Sequence, residues 1–230
     1  MSKYFIILIL LEALALLLVS RWWQGWELPV ITVNMILILL FGGKLITIGG
    51  YTSNAGNIFY AAVCTAQLML AQRVGERAAL TLLPRLIFAL TLLFGLLVAM
   101  SALPILPGNE PTSEIINALS ASSARLLVAS YLAYFVAQIV LLKVYINLPI
   151  TLRFGRYLLA AVACQFLDSV IFFAVAFQAE AMRLVEIALV GCTLKVALMV
   201  LYFPLFHFAA IPNNEIACIT CPVINRPPNY

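Results

Sequence analysis

Apolar runs about as long as a bilayer-spanning helix, ~20 residues, recur along this chain with only short polar interruptions. They can be read at residues 4–20, 30–48, 57–71, 83–103, 124–145, 157–177 and 185–208. Composition closes off the water-soluble alternative. Hydrophobic residues make up 65% of the 230 positions, charged residues 10%, and the mean hydropathy is +1.10, against about half and about a quarter in ordinary soluble domains. So few charges cannot clothe a core of that size, and lipid must serve as the solvent. The sequence therefore predicts an all-α polytopic membrane protein of about seven transmembrane helices. Residues 1–210 form a single transmembrane helical domain in this reading. Residues 211–230 form a flexible tail, because a polar stretch ending in Pro227-Pro228 cannot bury enough apolar surface to fold alone.

The first run has some features of a cleaved signal peptide, with Lys3 ahead of an apolar stretch. It is longer than a usual signal core, it carries Glu12, and the Arg21-Trp22-Trp23 that follows suits an interfacial anchor, so it is expected to remain as a helix. Orientation follows from the basic residues near segment ends. Arg73, Arg77 and Arg85 flank the third connection, and Lys143, Arg153 and Arg156 flank the fifth, whereas residues 104–123 hold Glu110 and Glu114 with no Lys or Arg. The positive ends should face the cytoplasm, which puts the N-terminus outside and the C-terminal tail inside.

The net charge of +4 does not indicate nucleic acid, because the basic residues are scattered at segment ends and form no stripe. Cys64, Cys164, Cys192, Cys218 and Cys221 are an odd set, the first three inside apolar runs where packing is their default role. Cys218 and Cys221 form a Cys-x-x-Cys pair, but with His207 as the chain's one histidine no zinc set is completed, and no metal site is expected. Gly42-Gly43 and Gly49-Gly50 flank an apolar run and read as close helix contacts or a helix break rather than a phosphate loop.

Function must then lie in the polar residues that the runs contain. An ionisable group inside a membrane helix costs at least a few kcal/mol on insertion scales, about 2.5–3.5, so each needs a partner or a wet cavity. Lys44, Asp168 and Lys195 are of this kind, and Glu12 is a fourth, set apart because a lone carboxyl can stay protonated against a neighbouring helix. Gln165, Asp168 and Ser169 share one helical face, Asn57 and Tyr60 share another, and Gln138 sits mid-run. Any one amide could be glue between helices. The set, spread over several helices, exceeds what packing requires and marks a substrate site by default.

Specific segments carry a family likeness. Lys44-Leu45-Ile46-Thr47-Ile48-Gly49-Gly50 with Ala55-Gly56-Asn57-Ile58-Phe59-Tyr60, Ser130-Tyr131-Leu132-Ala133-Tyr134 with Gln138, Cys164-Gln165-Phe166-Leu167-Asp168-Ser169, and Lys195 ahead of Pro204 resemble, in order and spacing, the VUT family of queuosine-precursor transporters. The likeness covers roughly residues 30–208. It departs where that family carries two acidic groups in its third helix, since Leu68 and Gln72 stand here, and where an Asp follows the glutamine of the fifth, since Leu141 stands here. The resemblance implies a six-helix core similar to the substrate-binding components of energy-coupling-factor transporters, here with an extra N-terminal helix. It also implies uptake of a 7-deazaguanine base across a bacterial cytoplasmic (inner) membrane.

The residues expected to bind such a base are Lys44, Asn57, Tyr60, Gln138, Gln165, Asp168 and Lys195, with Tyr60 or Phe172 to stack on its ring. No cofactor is expected, and the partners are the small-molecule substrate and the bilayer. Two other classes compete with transport. A membrane-embedded enzyme on a lipid-linked substrate would call for clustered carboxylates or a His beside a nucleophile, which this sequence lacks. An assembly subunit without transport would differ in showing no solute uptake.

Overall fold

A computed structural model of the chain describes residues 3–22, 25–41, 45–48, 51–101, 124–176 and 181–209. Among them run seven helices: α1 (Lys3–Arg21), α2 (Glu27–Phe41), α3 (Gly56–Val74), α4 (Glu76–Ser101), α5 (Ala124–Asn147), α6 (Arg153–Ala176) and α7 (Ala181–Ala209). The all-α membrane reading holds. In hydrocarbon every backbone N–H and C=O must find its partner inside the segment, which is why long apolar runs resolve into helices. Four stretches, Glu76–Leu96, Leu127–Asn147, Arg153–Phe172 and Ala188–Ala209, are long and apolar enough to cross a membrane. Their 20 to 22 residues correspond to about 30 Å of helix, the thickness of the hydrocarbon layer.

The second expected helix is corrected. It ends at Phe41, and the sequence that was to continue it forms a short antiparallel hairpin of β1 (Leu45–Ile48) and β2 (Tyr51–Asn54), with Leu45 opposite Asn54 and Ile48 opposite Tyr51. β2 packs against α7. Asn54 then starts α3, its Oδ1 accepting the Gly56 N–H at 2.6 Å and so satisfying one of the orphan donors of the first turn.

α3 is the axis of the bundle. Every position from Gly56 to Ala71 is buried, and α1, α2, α4, α5 and α7 all pack against it, while α5, α6 and α7 pack in sequence beside it. Small side chains, Ala61, Ala62, Ala66 and Ala71, let those neighbours approach. The outer faces carry the reverse pattern: Phe88, Leu92 and Leu96 of α4 and Leu10, Leu11 and Leu14 of α1 are exposed, an arrangement that suits lipid and not water.

α4 begins at Glu76, seven residues before the apolar run, so the connection from α3 shrinks to Gly75. The basic residues assigned to loops therefore lie on helix ends, and Arg85 lies within α4. They still gather at one end of the bundle, where Glu27 meets Arg73 at 2.8 Å, Glu76 meets Lys143 at 2.6 Å and Gln72 donates to the Tyr145 hydroxyl at 2.8 Å. Gly75 itself turns the chain with φ +85° and ψ 162°, a region essentially reserved for glycine. Gly75→Ala is expected to lower stability by about 1–3 kcal/mol, although a Cβ there would meet open space. Thermal melting in detergent would check this, an unchanged melting point counting against backbone strain.

Candidate substrate site

The polar side chains converge where α3, α5, α6 and α7 meet. On α3, Asn57, Tyr60 and Cys64 recur at helical spacing along one stripe, and on α7 Gly191, Lys195, Met199 and Tyr202 do the same. All seven positions are buried. α5 contributes Tyr134 and Gln138, one turn apart, and α6 contributes Cys164, Gln165 and Asp168.

Its charged centre is the pair of Asp168 and Lys195. Lys195 Nζ lies 2.5 Å from Asp168 Oδ2, with each side chain only 9% exposed, and the same ammonium stands 4.5 Å from the centroid of the Tyr60 ring. Pairing removes the cost of two isolated charges in hydrocarbon, and the ring face adds a cation–π attraction. Tyr60 in turn meets Tyr134 edge to face, with centroids 6.3 Å apart.

A second group lies next to it. Gln138 Nε2 and Gln165 Nε2 each point at Cys64 Sγ at 3.3 Å, Gln165 also lies 3.3 Å from Met199 Sδ, and Cys64 and Cys164 approach to 3.9 Å between sulfurs. Sulfur is a weak acceptor, so two strong amide donors are spent on poor partners. Both amide oxygens, Gln138 Oε1 and Gln165 Oε1, are buried with no hydrogen-bond partner among the described residues. Acceptors left without a protein partner in a buried site cost free energy that a well-packed apolar pair would avoid, and they call for an explanation beyond stability.

Toward the hairpin, Asn57 Nδ2 donates to Ser53 Oγ at 3.0 Å. Gly191 makes room for it, since a Cβ there would come within 3.2 Å of the same amide nitrogen. Toward the opposite end, the Tyr157 hydroxyl bonds Thr65 at 2.9 Å and donates to the Met199 carbonyl at 2.8 Å, fixing α6 against α3 and α7.

Of the residues expected from sequence, Tyr60, Asp168 and Lys195 are in direct contact, Gln138 and Gln165 meet through Cys64, and Asn57 sits one turn away by the hairpin. Lys44 lies outside the described residues, as do Cys218 and Cys221. Phe172, the other candidate for stacking, is half-buried on α6, one turn beyond Asp168. The sequence reading missed Cys64, Cys164, Met199, Tyr134 and Ser53. Among the described residues no three His, Cys, Asp or Glu side chains gather as a metal site would require.

A helical bundle with lipid-facing apolar surfaces and a buried, incompletely satisfied polar cluster at the junction of four helices is the architecture of a membrane protein that receives a small solute. Comparison with known proteins agrees. Residues 54–209 match the family described as "Putative vitamin uptake transporter", and the chain belongs to that family. The matched stretch contains every described residue of the cluster except Ser53. Neither a curated protein nor a solved structure matches the chain. Membership places the protein in a family described by small-solute uptake.

Proposed function

We propose that the protein takes up a 7-deazaguanine base, a cyano or aminomethyl precursor of queuosine or queuine itself, across a bacterial cytoplasmic membrane. One observation carries the reading: Asp168, Tyr60 and the unspent amide oxygens of Gln138 and Gln165 meet at one locus between four helices. A guanine-like edge presents a ring N–H and an amino group beside a carbonyl. The Asp168 carboxylate retains lone pairs beyond the one that Lys195 engages and can accept the two donors. An amide nitrogen now resting on Cys64 can turn to the carbonyl, a far better acceptor than sulfur, while an amide oxygen takes a remaining donor. Tyr60 offers a ring face for stacking.

The rest of the molecule fits this use. A transmembrane unit over residues 1–210 forms the carrier, and the basic helix ends, Arg73, Arg77, Lys143, Arg153 and Arg156, face the cytoplasm. With seven helices the N-terminus is outside, and the tail of residues 211–230 is cytoplasmic.

Thermal shift of the purified protein with queuine, 7-cyano-7-deazaguanine, guanine and adenine tests the assignment. A ligand at about 100 times its Kd stabilises by about 2.7 kcal/mol, so the deazaguanines should raise the melting point clearly. Adenine should not, because it places an acceptor where Asp168 needs a donor. Equal shifts with adenine, or none with any base, would remove the guanine-edge assignment.

A further inference from the structure

A second buried polar cluster shares Tyr202 with the one described and centres on the helix that precedes the family-matched stretch. α1 packs against α7, α3 and α2 and buries Phe5, Ile9, Glu12, Leu16 and Val19 along one seam, at the spacing of a helix face turned to its neighbours. Glu12 is the midpoint of α1 (Lys3–Arg21), about 14 Å of helix from either end. A leucine there would complete an apolar seam, so the carboxyl is held against a steady energetic penalty.

Its surroundings set its charge state. The other buried carboxylates are paired, Asp168 with Lys195 and Glu27 with Arg73, whereas Glu12 has no cation against it among the described residues. From α2 the Asn34 amide lies within hydrogen-bonding reach, and from α7 the Tyr202 hydroxyl stands nearby. From α3 the one described cation, Arg73, is held by Glu27. His207, later on α7, is exposed. Glu12 Oε2, Asn34 Oδ1 and the Tyr202 hydroxyl are all buried with no hydrogen-bond partner among the described residues. Burial without a cation favours the protonated carboxyl over the carboxylate, and contact with water would favour the carboxylate.

Tyr202 links this cluster to the substrate site. It lies on the same face of α7 as Lys195 and Met199, about two turns along from Lys195. A change of packing at the α1–α7 seam therefore acts on the helix that holds the Asp168 ion pair.

We propose that Glu12 is a proton-binding site, distinct from the solute site, whose protonation on one side of the membrane and deprotonation on the other drives solute accumulation. One proton binds the carboxylate oxygen on closure and leaves from the same atom on opening, with no other bond made or broken. The coupling rests on the transport reading above; the proton site itself does not.

Two measurements test it. Infrared spectra of the full-length protein in lipid should show the carbonyl stretch of a buried protonated carboxyl, and this band should vanish in Glu12→Gln, which keeps the side chain's shape. In proteoliposomes carrying the same variants, an inward gradient of about one pH unit should support about tenfold accumulation of queuine by the wild type at one proton per solute. Glu12→Gln should fall to simple equilibration while retaining solute exchange, and Glu12→Asp should recover part of the accumulation. A band that persists in Glu12→Gln overturns the proposal, as does undiminished accumulation by that variant or accumulation driven by a sodium gradient alone. Absence of queuine uptake with the band present and lost in Glu12→Gln would instead overturn the transport reading and leave the proton site standing.

Discussion

Lys195→Met should destabilise the folded protein by about 3–5 kcal/mol, the usual cost of breaking a buried ion pair from one side. Methionine nearly matches the lysine stem in length and can fill its path against Tyr60. What it cannot do is neutralise Asp168, whose side chain is only 9% exposed and whose Oδ2 now faces Lys195 Nζ at 2.5 Å. The carboxylate must then take up a proton or draw water into the junction of α3, α6 and α7. Removing both charges has a different outcome. In the Lys195→Met, Asp168→Leu double variant no charge is left to desolvate, so most of the loss should be recovered. Melting temperatures of the wild type, both single variants and the double variant, measured in one detergent, form the required cycle. A double variant whose loss equals the sum of the two single losses would mean that the two residues are not energetically coupled, and the pair could not be the centre of the cluster.

That pairing could be anticipated from sequence because lipid leaves few alternatives. Two opposite charges within apolar runs must find each other or a wet cavity, and Asp168 and Lys195 lie on consecutive helices. That the apolar runs form helices was legible for the same reason, since backbone groups in hydrocarbon must be satisfied within the segment. The hairpin was not, because Leu45–Ile48 is apolar and a short apolar run reads equally as buried strand or helix. The β-branched Ile46-Thr47-Ile48 and the two residues Gly49-Gly50 before Tyr51 were the available signals of a two-residue hairpin. The start of α4 was hidden differently: its first turn carries Glu76 and Arg77, which hydropathy discards although an acidic residue there suits the helix dipole. Cys64 and Cys164 stand one hundred residues apart on the chain, and each looks like packing within its own run. Only the fold brings them together with Gln138, Gln165 and Met199. Glu12 belongs to neither case, since its oddity is visible in sequence while the absence of a cation beside it is not.

Asp168→Asn should weaken binding of a 7-deazaguanine base by roughly tenfold to a hundredfold, the equivalent of a lost charge-assisted hydrogen bond of about 1.5–3 kcal/mol. The substitution preserves shape closely. It converts an acceptor-only group into an amide that donates from one side, so a ring N–H or amino group would meet a donor where it needs an acceptor. It also leaves the Lys195 ammonium facing a neutral carbonyl, a weaker partner in a buried site, and some loss of stability is expected as well. The two effects are separable, because affinity is a property of the molecules that remain folded and melting temperature reports on those that do not. Gln165→Ala supplies the contrast. Its amide spends its N–H on Cys64 and Met199 at 3.3 Å and leaves its oxygen unbonded, so truncation sacrifices a neutral hydrogen bond to the solute, about 0.5–1.5 kcal/mol. Calorimetric titration of queuine into both variants, alongside melting curves of the same preparations, should therefore rank Asp168→Asn below Gln165→Ala in affinity. If Asp168→Asn melts earlier yet binds as the wild type does, the carboxylate is a strut for Lys195 and the solute contacts lie with the amides and Tyr60.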